Sequence, residues 1–216
     1  MHYLTDKIEF PPVDTVNEYG MLALGGDLST ERLLLAYKSG IFPWYSDSEP
    51  IVWYSPDKRM ALYPNDLKVS KSMRQILKKD IFKVTFNQAF EEVIFNCKNI
   101  ERKDEFGTWI TDEMQEAYIK LHKLGIAKSV EVWDGEQLVG GLYGLEIGNI
   151  FCGESMFSKV SNASKVAFIN LVTSTPLNSQ IVSKYKLIDC QIYNDHLESL
   201  GANEIDRAEF LKFLPK

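Results

Sequence analysis

The sequence has 216 residues, enough for one large domain or two small ones, and 45% hydrophobic with 25% charged residues excludes a disordered chain. A net charge of −6 opposes nucleic-acid binding by the protein as a whole and leaves it only to a local basic face. Cys97, Cys152 and Cys190 match no zinc or redox spacing, MHYLTDKIEF is no signal peptide, and no apolar run approaches the ~20 residues of a membrane span, so the protein is expected in the cytoplasm.

Residues 1–62 are dense in turn formers, among them Pro11, Pro12, Gly25, Gly26, Gly40, Pro43 and Pro56. One helix is predicted there, capped by Asp27 or Ser29, with Leu33, Leu34 and Tyr37 as its apolar stripe and its end near Gly40. Short strands and aromatic loops account for the rest. After a junction at Pro64 and Asn65, helices are predicted over 70–79, capped by Ser70, over 88–97, and over 111–124 with Thr111 as cap. Strands follow at 129–133, 138–145 and 150–157, with turns at Asp134–Gly135 and at Gly148–Asn149. A helix over 162–174, a strand over 186–191 and short helices over 195–200 and 207–213 close the series. Antiparallel strands, a helix and a further strand make an α+β unit at 63–216, behind a small unit at 1–62.

Five features of the sequence carry chemistry. Strand alternation puts Asp189 and Gln191 on one face with Cys190 opposite, so that the Asp189 carboxylate can accept from the Gln191 NH2 group and leave its carbonyl oxygen free. The alternative is a polar pair at a strand end, satisfied by backbone. Glu154 interrupts an apolar strand; it either binds an ammonium group or stands at an edge in water. At residues 161–165 a helix begins, where free N–H groups and Lys165 suit a phosphate, or Ser161 or Asn162 simply caps. Between Leu67 and Lys83 six bases face one acid, a balance of +5 in an acidic chain. Lys71, Arg74 and Lys78 share a helical face there, suited to a nucleic-acid backbone or to plain solvation. Phe42, Trp44, Tyr45, Trp53, Tyr54 and Trp109 line a pocket, stack bases or pack the core. No P-loop or G-x-S-x-G elbow occurs, and with three scattered histidines no metal or nucleotide cofactor is called for.

Ten segments, in order, resemble the bacterial leucyl/phenylalanyl-tRNA–protein transferases: FPP at 10–12, GGDLS at 25–29, GIFPW at 40–44, SPD at 55–57, GTWI at 107–110, LVGGLYG at 138–144, GESMFS at 153–158, NASK at 162–165, LIDCQ at 187–191 and SLGA at 199–202. The resemblance implies a small N-terminal domain and a GNAT-like acyltransferase domain. It implies transfer of Leu or Phe, with some Met, from aminoacyl-tRNA to proteins that begin with Lys or Arg, marking them for degradation. By resemblance the catalytic pair falls on Asp189 and Gln191, and the aminoacyl pocket on Trp44, Trp109, Phe151 and Glu154. The tRNA phosphates would be held by Lys68, Lys71, Arg74 and Lys165. The pattern differs at Lys128, at Tyr54, at Leu171 (a pocket wall where an aromatic is common) and in the linker 175–186. A monomer without cofactor is expected. Two rivals stand beside this reading. An acyl-CoA N-acyltransferase would need a phosphate loop that Leu142 breaks, and a non-catalytic RNA-binding module would leave Asp189, Gln191 and Glu154 without purpose.

Overall fold

The computed structural model describes residues 2–100, 109–173 and 182–215. In the first stretch β1 (His2–Leu4), β2 (Met21–Gly25), α1 (Thr30–Lys38), β3 (Phe42–Pro43) and β4 (Val52–Tyr54) form a four-stranded sheet in the order β1-β2-β4-β3, with α1 beside it. Ser29 caps α1 by accepting from the Arg32 N–H, while Asp27 accepts from the Ser29 N–H. Leu33 and Tyr37 turn inward to the core and Gly40 follows in the left-handed region, as the stripe predicts.

The remaining elements build a seven-stranded sheet: β5 (Lys58–Leu62), α2 (Lys71–Lys79), β6 (Lys83–Phe86), α3 (Phe90–Asn99), α4 (Asp112–Lys123), β7 (Ala127–Asp134), β8 (Gln137–Ile147), β9 (Ile150–Ser158), α5 (Ala163–Val172), β10 (Leu187–Gln191), α6 (Asp195–Glu198), β11 (Asn203–Asp206) and α7 (Arg207–Phe210). Its order is β11-β5-β10-β9-β8-β7-β6. All neighbours are antiparallel except β9 and β10, which are parallel and joined by the α5 crossover that parallel pairing requires. Helices α3 and α4 cover one face with Tyr143, Leu145 and Phe157, and α5 and α2 cover the other with Val130, Leu142 and Phe151. No helix of the described residues is long and apolar enough to cross a membrane.

Three points differ from the sequence reading. Lys58–Leu62 lies inside the larger sheet, between β10 and β11, although it precedes residue 63. Strands β6 and β11 were not anticipated, being four residues each and partly polar. Neither Ser161 nor Asn162 caps α5: Asn162 sits at φ 72° without a side-chain bond, and the Ser158 hydroxyl accepts the Ser164 N–H instead. Ser70 and Thr111 cap α2 and α4 as read. The linker 175–186 lies outside the described residues up to 181, as do residues 107 and 108 of the GTWI segment.

Candidate active site

Pairing of β10 with β9 stops at Asp189 opposite Cys152, yet β9 runs on to Ser158. Past that point the two strands part, and a cleft of about 430 Å3 opens between them, lined by Gly153 to Ser158 on one side and Asp189 to Ile192 on the other. Its walls include Trp44, Trp109, Phe151, Phe168 and Leu171, so the cleft is largely apolar with a polar floor, the usual make-up of a small-molecule site. Trp44 stands at the rim, 40% exposed and packed against Tyr54 at 5.6 Å. Phe151 can pack closely on β8 because residue 144 is glycine: a Cβ there would meet the Phe151 ring at 2.7 Å and the Cys152 carbonyl at 2.2 Å. The structure thus gathers Trp44, Trp109, Phe151, Glu154, Leu171, Asp189 and Gln191 in one place.

Two buried polar networks make the floor. In the first, Arg59 holds Asp189 with both arms, Nε to Oδ1 at 2.8 Å and Nη2 to Oδ2 at 2.7 Å, in the bidentate geometry that suits a guanidinium and a carboxylate. Both side chains are almost wholly buried. The guanidinium is sandwiched between the rings of Phe42 and Phe210, each 4.6 Å away, and gives its third arm to the Gly40 carbonyl at 3.3 Å. Burial alone would depress the Arg59 pKa, but the Asp189 carboxylate outweighs it and the cation is held.

The second network joins Gln191 and Glu154, both lining the cleft, to two tyrosines behind them. Gln191 Nε2 donates to Glu154 Oε1 at 2.9 Å, the Tyr118 hydroxyl donates to Glu154 Oε2 at 2.9 Å, and the Tyr37 hydroxyl meets that of Tyr118. The chain thereby links α1, α4, β9 and β10. Burial raises the Glu154 pKa to about 7, against the hydrogen bonds from Tyr37 and Tyr118, which lower it. The same carboxyl and their own burial push the Tyr37 and Tyr118 hydroxyls well above the usual tyrosine range.

This geometry corrects three expectations. Asp189 does not orient the Gln191 amide: a β-bulge falls between the two residues, Gln191 adopts φ 64°, and Asp189 Oδ1 accepts the Gln191 backbone N–H at 2.9 Å. The amide is oriented by Glu154, which leaves Gln191 Oε1 without a donor among the described residues. For the same reason Cys190 does not face away; it also lines the cleft, as a half-buried thiol whose pKa is raised by desolvation and by Asp189. Glu154 is not an edge residue in water but 8% exposed and doubly hydrogen-bonded. Arg59, Tyr37 and Tyr118 were missed. The one local sign was a charge at 59 within the strand-like run KRMAL.

The basic residues stand elsewhere. Lys68 precedes α2 and is tied through its backbone N–H to the Leu200 carbonyl behind α6; Lys71 and Arg74 are exposed on α2 itself. None of the three lines the cleft. Arg74 bonds the Val69 carbonyl through Nε at 3.2 Å. Lys165, half-buried in the first turn of α5, joins burial in lowering the pKa of His196 at the cleft mouth.

Residues 61–215 match the family model described as leucyl/phenylalanyl-tRNA protein transferase, and residues 26–57 match the model of its N-terminal domain. Among relatives carrying that name, the chain is 61% identical to one from Flavobacterium johnsoniae over 214 residues, 99% of each chain. It is 59% identical to one from Flavobacterium psychrophilum over 216 residues, the full length of both. With one from Thermodesulfovibrio yellowstonii the identity is 53% over 213 residues, 99% of this chain and 85% of the relative.

Proposed function

The chain belongs to the leucyl/phenylalanyl-tRNA–protein transferases and is an aminoacyltransferase; on that premise we propose that it transfers Leu, also Phe and some Met, from aminoacyl-tRNA to the N-terminal α-amine of proteins beginning with Lys or Arg. The product carries a degradation signal, the reaction belongs to the cytoplasm, and the larger sheet serves as a GNAT-like acyltransferase scaffold acting as a monomer. The observation that carries the proposal is the pairing of an apolar cleft with a buried polar floor on which the Gln191 amide, held through Nε2 by Glu154, keeps Oε1 without a donor among the described residues.

Each part of that site has a task. The donor is an ester between the amino acid and the terminal ribose, already activated, so the enzyme's main work is to place amine and carbonyl carbon together. The side chain of Leu or Phe enters among Trp44, Trp109, Phe151 and Leu171. One methylene changes binding there by only ~1–3 kcal/mol, which is why Met is used as well. Gln191 Oε1 accepts a hydrogen bond from the attacking amine and aims its lone pair. Asp189, neutralised by Arg59, holds the Gln191 backbone in its left-handed turn. Lys68, Lys71, Arg74 and Lys165 hold tRNA phosphates without reading sequence.

The test is direct: labelled Leu-tRNA is incubated with the purified protein and a peptide beginning with Arg. Label should enter the peptide and should not enter one whose N-terminus is acetylated. Label in the acetylated peptide, or none in either with Leu- or Phe-tRNA, removes this reading.

A further inference from the structure

We infer that Glu154, rather than Asp189 or Gln191, is the catalytic base that removes the proton from the attacking α-amine. The inference rests on the aminoacyl-transfer reading above and assigns the proton within it. Asp189 is locked: its Oδ1 accepts from Arg59 Nε and from the Gln191 N–H, its Oδ2 accepts from Arg59 Nη2, and its surface exposure is 0%. Both of its oxygens are committed to a bidentate ion pair whose other member, Arg59, is itself buried and has need of that charge. Gln191 carries a neutral amide, a poor base. Glu154 lines the same cleft and differs in one respect. Its hydrogen-bond partners, Tyr118 and Gln191, are neutral, and among the described residues no cation is paired with it. It can take up a proton without stranding a partner charge.

The surroundings also set when it does so. Facing Glu154 are Tyr37 from α1, Tyr118 from α4, Arg59 from β5, Cys152 from its own strand, and Asp189 and Gln191 from β10. Tyr37, Tyr118 and Arg59 favour the carboxylate; burial and Asp189 oppose it, and the balance near 7 keeps a large fraction of Glu154 ionised at neutral pH yet basic enough to accept a proton. In the step itself the amine nitrogen forms its bond to the ester carbonyl carbon while Glu154 takes one N–H proton. The ester C–O bond then breaks with its electron pair going to the ribose oxygen, which receives that proton back from Glu154. Starting from a neutral amine, the carboxylate is restored and nothing else is consumed. An acceptor arriving as ammonium releases one further proton to water.

The experiment is turnover against pH at saturating Leu-tRNA and Arg-peptide, for the wild type, Glu154→Gln and Tyr118→Phe, with tRNA affinity and melting measured for each. The wild type should lose activity on the acid side with a midpoint near 7. Glu154→Gln keeps shape and folding; it should bind tRNA normally, lose about 10²–10⁴-fold in turnover and lose the acid limb. Tyr118→Phe removes a hydrogen bond to the carboxylate and should move the limb to higher pH. An acid limb unchanged in Glu154→Gln belongs to the substrate amine and overturns the assignment, as does turnover within a few-fold of wild type, or a limb unmoved in Tyr118→Phe. Absence of transfer by the wild type itself sinks the aminoacyl-transfer reading and this inference with it.

Discussion

On α2, Lys71, Arg74 and Lys78 come from one run of sequence and stand exposed. On the cleft floor, Tyr37, Arg59, Tyr118, Glu154, Asp189 and Gln191 come from α1, β5, α4, β9 and β10 and are all buried. The exposed charges act nearly independently, each screened by water and salt. The buried groups act as two units, because each satisfies the desolvated polar atoms of the next. Damage to the helix should therefore be graded, and damage to the floor abrupt.

The sharpest break is Arg59→Met. It leaves the Asp189 carboxylate buried and alone, and should lower stability by about 3–5 kcal/mol. Replacing the pair, with Asp189→Leu added, should recover much of that loss in a denaturant titration yet leave transfer abolished. A single variant with unaltered stability would show that water reaches the pair and that the floor is not a closed unit.

Glu154 gives a second contrast, in pH. Its folded pKa is raised from 4.5 to about 7, so the folded state binds the proton more tightly. Its stabilising contribution is present below 4.5 and is lost as pH rises through about 7, at about 1.4 kcal/mol per unit. Relative to Glu154→Gln, the wild type should thus become less stable across that window. Parallel stability curves from pH 4.5 to 8 would mean the carboxyl titrates normally.

Gln191→Asn tolerates the left-handed backbone at φ 64° but shortens the amide by one methylene, so it loses Glu154. Turnover should fall about 10–100-fold with tRNA affinity kept, the signature of lost positioning. Leu171→Ala, on the cleft wall, should shift the Leu-to-Phe preference by about tenfold at most. On the other side of the comparison, Lys71→Ala should be mildest: a modest rise in the Michaelis constant for charged tRNA, and a salt slope reduced by about 0.7–0.9. An unchanged slope would remove Lys71 from the RNA contacts.

What could be seen in the sequence divides along the same line. The basic stripe, the three Ser and Thr caps and the β7–β8 turn rest on neighbours a few residues apart, and these hold in the fold. Asp189, Gln191 and Glu154 were legible as unusual residues, but their pairing was not. Arg59 lies 130 residues from Asp189, and Tyr37 lies 81 from Tyr118. Strand alternation also misassigned the Gln191 amide, since a one-residue bulge overrides the two-residue period.

The sandwich around Arg59 has a consequence for the order in which the protein is made. One ring, Phe42, is supplied early in the chain, and the other, Phe210, comes from α7, after every strand of the larger sheet. A chain emerging from the ribosome can form β1 to β10 and still lack the cover over one face of this guanidinium. The sandwich around this guanidinium is therefore closed only once α7 has been made.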